Sequence, residues 1–173
     1  MAAPEQALVA EATRRELIAR AIALAGTRGD AGALRAMIRA EQVLIVTYEQ
    51  LLSGAALTSA AGRLATEFLG HERAHLQALG GELGRHGLPR VPRALGSVSA
   101  LSARQGLRLL VEIERAALSV YYTELARIRD GELARAAAAI MANEAQHGAL
   151  LLELLSGGNV TRAVPAAFVD GTR

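Results

Sequence analysis

The chain has 173 residues, of which 51% are hydrophobic and only 3% aromatic, and its formal net charge is +2. This length suits one domain with a substantial core, and so small a net charge gives no indication of a nucleic-acid partner. The sequence contains no cysteine, which excludes disulfides, iron–sulfur clusters, thiolate zinc sites and cysteine nucleophiles.

The first 26 residues carry several charges and lack the basic start and uninterrupted apolar run of a signal peptide. No charge-free apolar run approaches the ~18 residues of a membrane span. We therefore expect a soluble, cytoplasmic protein that has no membrane partner. A weak apolar periodicity over residues 5–25 predicts a helix packed on the outside of the fold or in an oligomer contact. The oligomer that this apolar helix suggests is a homodimer.

Four stronger helical patterns follow, and each has an apolar stripe at steps of three and four residues. The predicted helices cover residues 31–53, 58–86, 102–129 and 132–156. Proline and glycine residues, among them Pro89 and Pro92, predict a loop over residues 87–101. Residues 157–173 are predicted to form a surface tail. No segment alternates well enough to predict a strand, so the predicted fold class is all-α.

A repeated pattern of polar residues runs through these apolar stripes. Each half of the chain contains a lone glutamate and, about 30 residues later, a Glu-x-x-His pair. The residues are Glu41, Glu72 and His75 in the first half and Glu114, Glu144 and His147 in the second half. A tyrosine follows each lone glutamate by seven residues, and these are Tyr48 and Tyr121. The chain is therefore two copies of one unit, offset by about 73 residues.

The apolar neighbours of these glutamates predict burial, although a bare buried carboxylate is strongly destabilising. In an antiparallel hairpin, each lone glutamate and its Glu-x-x-His pair lie roughly 18 and 21 Å from the shared turn, at ~1.5 Å per residue. If the hairpins pack about a two-fold axis, all six side chains meet near the midpoint of the bundle. The negative charges of four ionised carboxylates would balance the positive charges of two divalent cations. Oxygen and imidazole ligands without thiolates suit iron or manganese and also admit zinc.

Ferritin-like di-iron and di-manganese bundles have a recognisable ligand pattern. It consists of one glutamate from each of two helices and a Glu-x-x-His pair from each of the other two. Over residues 31–156 the chain resembles the ferritin-like superfamily, and segments 40–49 and 68–75 are similar to small bacterial ferritin-like domain proteins. The resemblance implies a four-helix bundle whose second and third helices run parallel and are joined by a long crossover. Residues 5–25 would add an N-terminal helix to this single domain.

The resemblance also implies cofactors and a range of activities. The expected cofactors are two iron ions or, alternatively, two manganese ions, and zinc fits less well. Because one fold serves several functions, we hold three hypotheses. The leading one is a di-iron oxidoreductase that reacts with O2 or peroxide, the second is a manganese catalase-like enzyme, and the third is a non-enzymatic metal-binding or structural protein. The resemblance favours Glu72 and Glu144 as bridging ligands, whereas the spacing equally allows Glu41 and Glu114.

Residues 71–75 also match His-Glu-x-x-His, the signature of zinc proteases. In that interpretation His71 and His75 bind zinc and Glu72 is the general base. Two features oppose it. His71 lies about 100° around the helix from Glu72, and Asn143 instead of a histidine precedes Glu144 in the second unit.

The repeated tyrosines have two interpretations. Tyr48 and Tyr121 lie about two turns, ~10.5 Å, from their glutamates along the helix. They are either core aromatics with hydrogen-bonded hydroxyls or outer catalytic groups that hydrogen-bond a metal ligand or donate an electron to an oxidised metal centre. The remaining histidine of this region, His86, is interpreted as a helix-end residue.

Overall fold

The computed structural model of the protein describes residues 29–54, 57, 59–83, 89 and 101–163. Four long helices account for most of these residues, and one short helical turn follows them. The elements are α1 (Asp30–Ser53), α2 (Ser59–Leu83), α3 (Ala103–Leu125), α4 (Gly131–Leu155) and α5 (Val160–Ala163). The described residues include no strand, and the all-α prediction is confirmed.

Some of the sequence predictions lie outside the described residues. These include the N-terminal helix over residues 5–25, together with the homodimer that it suggested, and most of the loop over residues 87–101. In the predicted tail, Val160–Ala163 is helical. None of the helices in the described part of the chain combines the length and the apolar character that a membrane span needs.

Local hydrogen bonds set the starts of α3 and α4. Ser102 and Gln105 form a reciprocal capping box at the start of α3, in which each side chain accepts the backbone N–H of the other residue. The Asp130 side chain accepts the backbone N–H groups of Glu132 and Leu133 at the start of α4. These side chains satisfy N–H groups that have no partner within their helix.

Helix α3 ends at Leu125, earlier than the predicted end at residue 129. Beyond this point the chain turns, and the Asp30 carboxylate at the start of α1 accepts the backbone N–H groups of Arg129 at 2.8 Å and Asp130 at 3.0 Å. A contact with a distant part of the chain therefore holds the turn after α3, where the local sequence pattern allowed the helix to continue.

Hydrogen bonds between α1 and α3 define the direction of the helices. Tyr48 donates to Glu114, and Tyr121 donates to Glu41. The later residue of each helix thus contacts the earlier residue of the other, so α1 and α3 run antiparallel. Because α1–α2 and α3–α4 are antiparallel hairpins, α2 and α3 run parallel and require a long crossover. This arrangement agrees with the ferritin-like bundle expected from the sequence.

One contact places Pro89, in the segment between α2 and α3, against the bundle. The buried side chain of Gln42 donates from its amide nitrogen to the Pro89 carbonyl at 3.0 Å. Pro89, within the segment that joins α2 to α3, therefore lies against α1 next to Glu41.

Two apolar core regions lie on either side of the repeated polar residues. One region includes Leu44, Leu51, Ala65, Leu110 and Leu151. The other includes Leu34, Ile38, Leu79, Leu133 and Ala137. The polar residues are therefore held at the middle of the bundle by apolar packing towards both of its ends.

Candidate metal centre

The six residues that the repeat singled out lie together at the middle of the bundle. We call this set the carboxylate–histidine cluster, and its members are Glu41, Glu72, His75, Glu114, Glu144 and His147. All four glutamates and His147 are at most 1% exposed. The side chain of His75 is 13% exposed and is the member closest to solvent.

The donor atoms of the cluster fall into two overlapping groups, which we name after their histidines. The His75 group consists of Glu41, Glu72, His75 and Glu144, and the His147 group consists of Glu72, Glu114, Glu144 and His147. In each group, one donor atom from every member lies within 4.8 Å of the others, so each group can hold a metal ion. Glu72 and Glu144 belong to both groups and therefore lie between the two positions.

Both histidines direct the same ring atom towards the carboxylates. The Nδ1 atom of His75 lies 3.0–3.4 Å from an oxygen of each glutamate in its group. The Nδ1 atom of His147 lies 3.0–3.9 Å from an oxygen of each glutamate in its group. The two halves of the cluster are thus built alike, as the sequence repeat predicts.

Two buried tyrosine hydroxyls link the halves crosswise. Tyr48 donates to the Oε1 atom of Glu114, and Tyr121 donates to the Oε1 atom of Glu41. The tyrosine of each repeat therefore holds the lone glutamate of the other repeat. A hydroxyl that hydrogen-bonds a ligand residue was one of the two interpretations of these tyrosines, but the sequence did not indicate which glutamate each hydroxyl would bond.

Several buried polar atoms of the cluster make no hydrogen bond of good geometry among the described residues, although some of them lie within 4 Å of another cluster residue. They are Oε2 of Glu41, Oε1 of Glu72, Oε2 of Glu114, both carboxylate oxygens of Glu144 and Nδ1 of His147. Buried polar atoms are almost always paired in proteins, so these atoms point to a species that binds between them. Carboxylate oxygen and imidazole nitrogen are donors that suit iron, manganese and zinc. The residues present therefore fit a metal site.

Burial and mutual repulsion shift the pKa values of the metal-free carboxylates. Burial raises the pKa of Glu41 from 4.5 to about 8. Burial, together with the charges of Glu114 and Glu41, raises the pKa of Glu144 well above its usual range. Burial also acts to raise the pKa of Glu72, but the close approach of the two histidines and of Glu41 outweighs it and lowers this pKa to about 2.

The same carboxylates also shift the pKa values of the histidines and tyrosines. Burial acts to lower the pKa of His75 and His147, but the surrounding glutamates outweigh it and raise both values from 6.5 to about 9. Burial and the nearby glutamates raise the pKa of Tyr48 and Tyr121 well above 10. Near neutral pH the metal-free cluster therefore retains protons, which supply the positive charge that buried carboxylates need. A metal ion would compete with these protons.

Comparison with known proteins identifies the family. A family model described as a ferritin-like domain matches residues 11–157, which is most of the chain and includes all six cluster residues. The chain belongs to the ferritin-like domain family. Comparisons with curated proteins and with solved structures found no significant match. Ferritin-like di-iron and di-manganese bundles use a glutamate from each of two helices and a Glu-x-x-His pair from each of the others, and the cluster has this composition.

The structure separates His71 from the cluster. His71 is exposed on α2 and belongs to neither donor group. Its Nδ1 atom lies 3.0 Å from Nε2 of His147, and it is therefore placed beside a cluster histidine instead of forming a zinc site with His75. The zinc-protease interpretation has no support in this geometry. His86 lies outside the described residues.

The sequence analysis missed the surroundings of the His147 ring. The Phe68 ring stacks on it with a centroid distance of 3.9 Å, and His71 contacts its edge. Phe68 and His71 lie one turn apart on α2, which was a visible signal that both face the same neighbour. The sequence does not show that this neighbour is on α4.

Proposed function

We propose that this ferritin-like protein is a di-iron oxidoreductase that reacts with O2 or peroxide. The observation that carries the proposal is the overlap of the two donor groups at Glu72 and Glu144. Shared carboxylates suit two metal ions spaced ~3.5–4 Å apart. Glu41 and His75 would complete one position. The other would be completed by the equivalent residues of the second repeat, which are Glu114 and His147.

The charge of the cluster suits two divalent ions. When ionised, the four glutamates of the cluster carry a charge of −4, which two divalent cations neutralise if both imidazoles are neutral. With a single divalent ion, two carboxylate charges would have to be compensated by protons held on the cluster, as in the metal-free protein.

The burial of the cluster supports a small oxidant. His75 is the one member with a side chain more than 1% exposed, so the cluster comes nearest to solvent on the His75 side. Molecules of the size of O2 or hydrogen peroxide suit so buried a cluster, whereas a macromolecular substrate would require the helices to separate. Bound iron would supply the electrons that reduce the oxidant.

The two tyrosines orient the carboxylates of the lone glutamates. Tyr48 and Tyr121 each occupy the Oε1 atom of their partner glutamate. The Oε2 atoms of Glu114 and Glu41 remain without a hydrogen-bond partner among the described residues. Each hydroxyl therefore fixes the rotation of a carboxylate whose second oxygen would be free to bind a metal ion. The two apolar core regions exclude bulk water from the same space.

The test begins with elemental analysis of the purified chain without a histidine tag, before and after anaerobic loading with Fe(II). We expect about two iron ions per chain and rapid O2 consumption when the loaded protein meets O2. Glu144→Ala is the matched variant and should lose both iron and O2 consumption.

Three other results would contradict the proposal. Steady O2 release from peroxide by the Mn(II)-loaded protein, without O2 uptake by the iron form, would favour the manganese catalase-like hypothesis. Bound metal without either activity would indicate a metal-binding protein that is not an enzyme. Absence of metal after loading would indicate a structural ferritin-like protein.

A further inference from the structure

The two halves of the centre differ in the residues around their histidines. On α2, Phe68 and His71 precede the Glu-x-x-His pair of the first repeat. The equivalent positions on α4 are Ile140 and Asn143. The first repeat thus supplies an aromatic ring and an imidazole that the second repeat does not, and both of them contact His147.

These two neighbours restrain the His147 ring from different sides. The Phe68 ring stacks on one face, with a centroid distance of 3.9 Å and an interplanar angle of 20°. The Nδ1 atom of His71 lies at the ring edge, 3.0 Å from Nε2. Both contacts cross from α2 to α4 and leave His147 only 1% exposed.

The direction of the His71 hydrogen bond follows from the requirements of a metal ligand. The Nδ1 atom of His147 faces the glutamates of its group and must be unprotonated to bind a metal ion. In a neutral imidazole the proton is then on Nε2, so His147 donates and the Nδ1 atom of His71 accepts. Such a partner fixes the tautomer and the orientation of a ligating histidine.

His75 has no equivalent support among the described residues. Its side chain is 13% exposed, and Asn143, at the position equivalent to His71, makes no hydrogen bond to it in the described structure. Its ring lies near that of His147, with a centroid distance of 6.3 Å, which is too far for close stacking. The His75 group is therefore less preorganised than the His147 group.

We propose that His71 is a positioning residue for His147, and that it makes the His147 group bind a metal ion before the His75 group does. His71 acts through the His147 ring and is not itself a ligand. The inference rests on the proposed dinuclear centre, because an order of binding requires two positions.

Anaerobic titration with Co(II), followed by visible absorption and calorimetry, tests this inference. Co(II) is the only species added to the protein, and its absorption bands report on the geometry of its coordination. We expect the unsubstituted protein to bind two ions in a tighter and a weaker step. His71→Ala should weaken the tighter step about 10- to 100-fold, change its absorption spectrum and leave the weaker step in place. Because His71 is exposed, the variant should retain the fold, which circular dichroism can verify.

Two further variants isolate the hydrogen bond. In His71→Asn, the side-chain oxygen can accept the same hydrogen bond and should restore most of the lost affinity. Asn143→Ala is the matched control in the second repeat, and both of its binding steps should match those of the unsubstituted protein.

The possible failures are distinguishable. If the unsubstituted protein and His71→Ala bind two Co(II) ions in the same two steps, the role of His71 is wrong and the dinuclear centre stands. Equal losses in His71→Ala and His71→Asn would show that the hydrogen bond is not responsible, and equal affinity at both positions would refute the order of binding. If the unsubstituted protein binds no Co(II), the inference and the proposed function fail together.

Discussion

Tyr48 donates a hydrogen bond to Glu114, which lies 66 residues later in the chain. Tyr121 makes the reciprocal bond to Glu41 across 80 residues. Both bonds join α1 to α3, and both leave one carboxylate oxygen without a hydrogen bond among the described residues. The tyrosines thus hold the two repeats together at the point where their ligand residues meet.

We expect both of these hydrogen bonds to stabilise the fold. Tyr48→Phe and Tyr121→Phe remove a hydroxyl while they keep the aromatic ring in the core. Each should lower the free energy of unfolding of the metal-free protein by about 1–3 kcal/mol, because a buried carboxyl oxygen loses its donor. Urea unfolding measures the change. Tyr122→Phe is the control, since Tyr122 is 57% exposed, and a loss as large in this variant would contradict the explanation.

The shared and unshared glutamates should differ in their effect on metal content. Glu144 belongs to both donor groups, whereas Glu114 belongs only to the His147 group. We expect Glu144→Ala to weaken both positions and Glu114→Ala to retain about one ion per chain, bound by the intact group. Elemental analysis after Fe(II) loading and desalting measures this. The exposed Glu67 on α2 provides a control in Glu67→Gln, and full metal retention in folded Glu144→Ala would show that Glu144 is not a ligand.

The metal-free protein should lose stability as the pH rises from about 6.5 to 9. The folded-state pKa values of His75 and His147 are raised from 6.5 to about 9, so their stabilisation is complete below pH 6.5 and is lost as the pH rises through 9. The raised pKa of Glu41, about 8, acts in the same direction between pH 4.5 and 8. Glu72, with its pKa lowered to about 2, loses its stabilising effect only in acid, as the pH falls from 4.5 through 2.

Thermal unfolding in the presence of a chelator at pH 6.5 and pH 9 tests this dependence. We expect a lower melting temperature at the higher pH. The metal-loaded protein should show a smaller decrease, because bound ions replace the protons as the source of positive charge. A melting temperature of the metal-free protein that rises over this interval would refute the assigned direction.

Metal binding should release protons and strengthen with pH. The histidines and Glu41 hold protons near neutral pH, since their pKa values are raised to about 9 and about 8. These protons must leave before the same atoms bind metal. Calorimetric titration with Mn(II), repeated in buffers of different ionisation enthalpy, counts the protons released. Affinity that does not change between about pH 6.5 and pH 9 would mean that these groups do not ligate the ion.

The grouping of the six cluster residues was predictable because the helical period and the repeat act together. Apolar neighbours at steps of three and four residues placed each glutamate on an inward-facing stripe. The similar spacing of the two units placed the glutamates at the same level along the bundle axis. The partners of Tyr48 and Tyr121 were not predictable, because they depend on how α1 packs against α3. His71 was correctly placed away from the face of Glu72, but its long side chain reaches α4, which a helical angle alone does not show.

The end of α3 illustrates a similar limit. The sequence between Leu125 and Asp130 has no strong helix breaker before the aspartate, so a local pattern extends the helix. In the structure, Asp30 from the start of α1 binds the backbone of Arg129 and Asp130. Such a distant partner overrides local preference and is invisible to periodicity.

The crosswise tyrosine bonds also bear on how such a chain could have originated. If two identical hairpins associated about a two-fold axis, the tyrosine of each would reach the glutamate of the other, because symmetric contacts are exchanged in pairs. This chain has the arrangement that gene duplication and fusion of such a self-associating hairpin would produce. On this view, the fused copies have diverged at two positions in particular. The first copy has Phe68 and His71 where the second has Ile140 and Asn143.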